Sequence, residues 1–350
     1  MTAVTEQHVL EALRVVQDPD LHRDIVTLGF VKEVRICDGI VAFKIELTTP
    51  ACPVKDLLKA QAEEVVAALP GVTQVNVEMT AQVRGRELSA QELVPEVRHV
   101  IAVASGKGGV GKSTVSVNLA IALALSGAKV GLMDADIYGP SLPMMLGVNE
   151  RPLMTETPNG PKIVPIAAYG VDLMSLGFLL DPDKAVIWRG PMVAGTVRQL
   201  LGDVIWGEQD YLVVDLPPGT GDAPLTLAQQ VPISGVVIVM TPQQVAQDIA
   251  NKSILMFRAL SQSLGREIPI LGIVENMSGG VFGSGGGEQA AERLQVPFLG
   301  RIPLDAGISE SGDAGMPAIL AFPDSEQALA FHQVAGTIAA RISTLQYTQK

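Results

Sequence analysis

The sequence predicts an α/β fold: a mostly parallel sheet flanked by helices, preceded by a small α+β domain. Three observations carry this. Residues 106–114, GKGGVGKST, fit the phosphate-loop pattern GxxxxGK[ST] through Gly106, Gly111, Lys112 and Ser113. The loop lies between an apolar run, His99 to Ser105, and the stretch STVSVNLAIALALSG, which gives the strand, glycine loop, helix order the pattern needs. From Arg98 onward, apolar runs without alternation recur between stretches of helical spacing, as in strands buried on both faces of a parallel sheet.

Residues 1–82 read as the α+β domain, 83–97 as a charged linker and 98–350 as the phosphate-loop domain. In the first, Val9, Leu10, Leu13 and Val16 have helical spacing, and the DPD at 18–20 breaks it. Strand-like runs at 28–36 and 40–47 meet at Cys37-Asp38-Gly39, where the Asp-Gly pair is a hairpin signal. A helix from Val54 to Ala68 and a strand from Val72 to Met79 follow. In the larger domain, strands are expected at 99–104, 129–133, 211–216, 235–240, 269–274 and 297–302. Helices are expected at 112–126, 243–264 and 287–295, with a closing helix from Ser325 to Ile342. Asp248 and Lys252, four apart on the second of these, are expected to pair. Ligands in such sheets sit at the C-terminal strand ends, and the candidate chemistry falls there.

The amides of Gly106, Lys107, Gly108, Gly109, Val110, Gly111, Lys112, Ser113 and Thr114 form a phosphate cradle at a helix N-terminus. Lys112 reaches the β- and γ-phosphates, and the Ser113 hydroxyl holds Mg²⁺. Four apolar residues ending in Asp215 (YLVVD) have the Walker B form, so Asp215 holds Mg²⁺ through water. Asp134 and Asp136 leave the second strand beside the loop. For Asp134 a cap or turn role competes with a functional one.

KGGxGKST resembles the deviant phosphate loop of the ATPase group that includes MinD, ParA and the nitrogenase iron protein, which implies a P-loop NTPase fold. The resemblance implies a homodimer in which Lys107 crosses the interface to the partner's nucleotide. DADIYGPS and DLPPGTGD narrow it to the Mrp/ApbC branch, ATPases that carry iron–sulfur clusters. What that implies is ATP with Mg²⁺ as cofactors and Lys107, Lys112 and Asp136 as the catalytic set. Asp136 would position water or act as general base and touch Mg²⁺ through water. The Gly219 N–H would contact the γ-phosphate, Asn276 of VENMS would read the adenine edge, and the IPLD at 302–305 would lie near the base. The expected partners are apo iron–sulfur clients or a cluster scaffold.

The N-terminal segments DPDLHRDIVTLGFVKEV and TTPACPVKDLL resemble the PaaD-like domain associated with iron–sulfur assembly. Cys52 takes the cysteine position of its T-x-P-x-C-P segment and becomes a candidate cluster ligand. A helix start would lower its thiol pKa; a small buried core cysteine is the other reading. His22 reads as a surface residue and Cys37 as incidental. One departure limits the resemblance. The branch's CxxC after N-M-S is absent: the residues are NMSGGVFGSGGGEQ, and the only cysteines are Cys37 and Cys52.

Composition excludes other classes. With 25 Lys+Arg against 37 Asp+Glu the net charge is −12, which argues against nucleic-acid and anionic-membrane binding. Hydrophobic residues at 47 % with aromatics at 4 % describe an aliphatic core. Two cysteines exclude a disulfide framework. No secretory signal is visible, and no run reaches the roughly 20 mostly apolar residues of a membrane span. The expectation is a cytoplasmic ATPase. A positioning ATPase like MinD or ParA and a non-hydrolysing, ATP-locked adaptor are the alternatives. The C-terminal ARISTLQYTQK lacks the basic amphipathic character of a MinD-like membrane helix.

Overall fold

In the computed structural model, which describes residues 4–83, 85, 93–158, 160–179, 190–219 and 221–348, the chain forms two units. One takes Met1–Arg84 with Ala339–Lys350, the other Gly85–Ile338.

The first unit opens with helix α1 (Glu6–Leu13), where Thr5 Oγ1 accepts the His8 N–H at 3.3 Å. Two-residue strands β1 (Gln17–Asp18) and β2 (Arg23–Asp24) flank the DPD break. β3 (Val31–Cys37) and β4 (Ile40–Leu47) form the expected hairpin, with Asp38 at φ 45° and Gly39 at φ 81°. Both lie in the left-handed region that a tight primed turn requires. Helix α2 (Lys55–Ala67) then returns the chain to β5 (Gln74–Ala81), parallel to β4. Alternation along β4 sends Val41, Phe43, Ile45 and Leu47 into a core with Val9, Leu13, Leu58 and Val66.

The second unit is built on an eight-stranded sheet in the order β10-β11-β7-β12-β6-β13-β14-β15. Its early elements are β6 (Val97–Ala104), α3 (Lys112–Leu125), β7 (Val130–Asp134), α4 (Leu142–Met145), a hairpin β8 (Met154–Thr157) and β9 (Gly160–Ile163), β10 (Ile166–Ala168) and β11 (Val171–Ser175). Then come α5 (Gly190–Gly202), β12 (Gln209–Asp215), α6 (Asp222–Gln230), β13 (Gly235–Met240), α7 (Gln244–Leu264) and β14 (Ile270–Ser278). α8 (Gly286–Leu294), β15 (Phe298–Pro303), α9 (Ala306–Asp313), α10 (Ala318–Ala321) and α11 (Glu326–Thr348) complete the order. From Ala339 on, α11 belongs to the first unit, where Tyr347 packs edge-on against Phe30.

The central strands are parallel and fully buried, as their unalternating apolar runs predict: Val100, Ile101, Leu212, Val213, Val237 and Ile238 have no exposure. Register sets the site. Asp215 stands opposite Asp134 of β7 and Val103 of β6, so the carboxylates and the phosphate loop leave one sheet edge together. Five of the six expected strands agree within about two residues, and β14 runs on to Ser278. Strands β8–β11 and helices α4, α5, α6, α9 and α10 were not anticipated, because those segments are short or interrupted by Pro and Gly. β10 is antiparallel to β11 at the sheet edge. The linker expectation falls largely on residues 84 and 86–92, outside the described part; β6 itself begins at Val97.

Candidate functional site

The phosphate loop is shaped by residues that cannot carry a side chain. Gly109 has φ 78° and Gly111 φ 75°, the left-handed region. A Cβ on Gly106 would lie 2.5–2.6 Å from Ile249 of α7, and one on Gly111 would lie 2.2 Å from Asn276 Nδ2. Gly111 is the N-cap of α3, whose axis therefore starts at Lys112. The helix dipole and the loop amides both favour an anion here.

Around that loop the expected residues converge. Lys112 Nζ lies 2.6 Å from Asp215 Oδ2, and both side chains are buried, at 6 % and 0 % exposure. Ser113 Oγ donates to the same oxygen at 2.6 Å, and the Lys112 ammonium lies 3.3 Å from Ser113 Oγ. Two oxygen donors thus already hold a cation between them, which is the donor chemistry Mg²⁺ prefers. Ser116, one helical turn on from Lys112, donates from Oγ to Asp215 Oδ1 at 2.6 Å; sequence reading missed it.

Several groups assigned to nucleotide are paired within the protein. The Gly219 N–H donates to the Ser105 carbonyl at 2.9 Å. Asn276 Nδ2 donates to the Val110 carbonyl at 2.9 Å, placing the asparagine against the phosphate loop. Lys107 is half-buried, Gly108 and Gly109 are exposed, and Thr114 supports the helix through its carbonyl, which accepts from Asn118 Nδ2 at 2.8 Å. Asn118 Oδ1 in turn accepts the Ile319 N–H at 2.9 Å, a tie to α10 that no motif announces.

The two aspartates after β7 separate in role. Asp134 is buried and bound on both oxygens: Oδ1 accepts the Asp136 N–H at 3.1 Å, and Oδ2 accepts the Leu142 N–H at 3.3 Å and Ser175 Oγ at 3.0 Å. It pins the segment 136–142. Burial, and then the neighbouring Asp215 charge, push its carboxyl up to about 7. Asp136 is half-exposed; burial raises its pKa and Lys112 opposes that rise.

One of the two readings of Cys52 and the expected Asp248–Lys252 pair are corrected. Cys52 precedes α2 and packs on the core of the first unit, and burial pushes its thiol up to about 11. Desolvation outweighs any helix-start effect, so the expected lowering does not occur. Among the described residues no group of three or more His, Cys, Asp and Glu could hold a metal ion. Asp248 does not pair with Lys252; it accepts from Gln244 Nε2 at 3.1 Å and lies 3.8 Å from Arg293 Nη2 of α8, because α8 packs on that face of α7. His22 is exposed, as expected. No helix among the described residues is long and apolar enough to cross a membrane.

Comparison with known proteins adds to this geometry. The family model described as NUBPL iron-transfer P-loop NTPase matches residues 96–339, and a model described as iron–sulfur cluster assembly protein matches residues 6–78. An iron–sulfur cluster carrier protein of Synechocystis sp. is 47 % identical, covering 97 % of this chain and 98 % of its own length. A nucleotide-binding protein of Archaeoglobus fulgidus, solved in complex with ADP and with cobalt found, is 38 % identical at a TM-score of 0.53, over 63 % of this chain and 87 % of that one. The cell division ATPase MinD of Pyrococcus furiosus is 25 % identical at a TM-score of 0.54, covering 69 % and 98 %.

Proposed function

The chain belongs to the family of NUBPL-type iron-transfer P-loop NTPases, and on that premise we propose that it is an ATP-hydrolysing homodimer that assists delivery of iron–sulfur clusters to apoproteins in the cytoplasm. The observation that carries the nucleotide part is the Lys112–Asp215–Ser113 constellation beneath the glycine loop. ATP phosphates take the loop amides, and Lys112 exchanges Asp215 for the β- and γ-phosphates. Ser113 and Asp215 would hold Mg²⁺, which would supply further neutralisation of phosphate charge. Lys107 reaches the nucleotide of the second copy. Asp136 orients the attacking water or accepts its proton, and burial, which raises its pKa above the usual carboxylate value, makes it a stronger base for that step. Gly219 gives up Ser105 for the γ-phosphate, while Asn276 keeps a carbonyl oxygen and a second N–H for the adenine edge.

The resting pairs support the reading of a slow, switch-type ATPase. Each pair must open before its member meets the nucleotide, so ATP selects a different arrangement of the same residues. Lys112→Ala removes ATP turnover; full ATPase activity in that variant refutes the assignment. The cluster is cargo, and with Cys37 and Cys52 as the only thiols its remaining ligands come from a second copy, a client or a small thiol. Cys52 of each subunit is the proposed contribution. Iron and sulfide per dimer, measured after anaerobic reconstitution, should fall in Cys52→Ala. Equal content in both proteins, or none in wild type, removes that role.

A further inference from the structure

The end of β14 holds a buried carboxylate that the nucleotide chemistry does not use. Glu275 has no exposure. Its Oε1 accepts from Ser278 Oγ at 2.7 Å and from the Gly285 N–H at 3.0 Å, and its Oε2 accepts the Gly287 N–H at 2.6 Å. Arg301 Nε lies 3.7 Å from Oε1, while its Nη2 donates to Glu288 Oε2 at 2.8 Å. Charge-assisted bonds of this kind are stronger than neutral ones.

What Glu275 holds is the end of a glycine-rich loop. Gly279, Gly280, Gly283 and Gly285 all have positive φ, and glycine loses the most conformational freedom on ordering. The loop closes on itself through Gly279 N–H to the Gly283 carbonyl at 2.6 Å and presents Val281 at 90 % exposure. A Cβ on Gly287 would lie 2.7 Å from Glu275 Cβ, so the glutamate is seated directly against the start of α8.

The next residue in the strand faces the other way. Asn276 Nδ2 is bonded to the Val110 carbonyl of the phosphate loop, and Met277 Cε stands 3.3 Å from where a Gly111 Cβ would be. Met277 has φ 56°, a left-handed conformation that a methionine rarely adopts and that stores strain. The strained residue therefore separates a contact to the phosphate loop from a clamp on the glycine loop.

We infer that Glu275 is a positioning residue that ties the glycine loop 279–287 to the state of the phosphate loop. Any shift of Val110 and Gly111 on binding phosphate is felt by Asn276, and Glu275, its neighbour in β14, carries Gly285 and Gly287 with it. The exposed loop around Val281 then takes one position with nucleotide and another without. This rests on the nucleotide reading proposed above.

The test is amide hydrogen exchange of residues 279–287 in the full-length protein, with and without MgATP, in wild type and Glu275→Gln, with nucleotide affinity measured alongside. Expected in wild type is a nucleotide-dependent change at Gly285 and Gly287 of about fivefold or more, the scale of ordinary site-to-site coupling. In Glu275→Gln nucleotide still binds, but exchange becomes equal in the two states. A merely structural glutamate would speed exchange by one common factor and leave the ratio between states at its wild-type value, which overturns the inference. Unchanged exchange in a wild type that binds nucleotide overturns the coupling alone, whereas a wild type that binds no nucleotide overturns the site reading with it. If Glu275→Gln fails to fold, Ser278→Ala, which removes one donor from the carboxylate, is read by the same ratio. A diminished ratio supports the clamp and an undiminished one overturns it.

Discussion

Replacing Lys112 with methionine tests the resting site directly. The ammonium lies 2.6 Å from Asp215, with both groups almost out of water. Methionine keeps the length and apolar stem and removes the charge. Asp215 is then a buried carboxylate supported only by Ser113 and Ser116. Breaking such a pair from one side is destabilising by about 3–5 kcal/mol, and the two remaining hydroxyl donors put this case at the lower end, about 3 kcal/mol. In a unit of this size each kcal/mol moves the midpoint by about 2–4 °C, so the nucleotide-free protein should lose about 6–12 °C. The assay is thermal unfolding without nucleotide, followed on the unit containing the phosphate loop. Asp215→Asn and the double variant complete a cycle. The double variant should be more stable than the summed single effects by about 2 kcal/mol, because no charge is left alone in the interior. Strict additivity within about 0.5 kcal/mol would refute the pair as a coupled element.

Other outcomes follow from single sites. Gly111→Ala places a methyl against Asn276 at a left-handed residue, and should lower stability by about 1–2 kcal/mol while weakening ATP binding; titration calorimetry showing wild-type affinity would contradict the geometry. Asp134 has its pKa raised in the folded state from 3.8 to about 7, so the native state binds the extra proton. Its stabilising contribution is complete below about 4 and is lost as pH rises toward and through about 7; Asp134→Asn should flatten urea midpoints across that window, and an unchanged slope would count against it. Cys52, with its thiol near 11, is about one part in a thousand thiolate at pH 8, so a disulfide reagent should label exposed Cys37 well before Cys52; simultaneous labelling would show the burial to be wrong.

The phosphate site was legible because its physics leaves few choices of residue. Gly109 and Gly111 must take positive φ, Lys112 must follow them, and an apolar strand must deliver Asp215 beside them. The parallel sheet was legible for a similar reason, since strands buried on both faces cannot alternate. What escaped was polar support from residues with no periodic signature. Ser116 and Asn118 look like ordinary residues of an apolar helix, and only the fold brings one to Asp215 and the other to Ile319. Glu275 reads as one more residue of VENMS until β14 is seen to bury it. Cys52 stayed open between two readings because sequence gives position relative to a helix but not depth, and depth decided for the core cysteine. Asp248 went to Arg293 because the partner helix competes with the neighbour four residues on.

The chain's two ends contribute to one body. Residues from Ala339 onward, with Tyr347 against Phe30, join the unit that the first segment begins. Chains fold largely as they are synthesised, N-terminal parts first. Here the first unit begins with residues made early yet takes a packing surface from residues made after the whole phosphate-loop unit. In sequence, the ATPase unit is thus an insertion between the two segments of the first unit. A transcript cut short, or a stalled ribosome, yields a polypeptide with the whole phosphate loop and an N-terminal core still missing a wall.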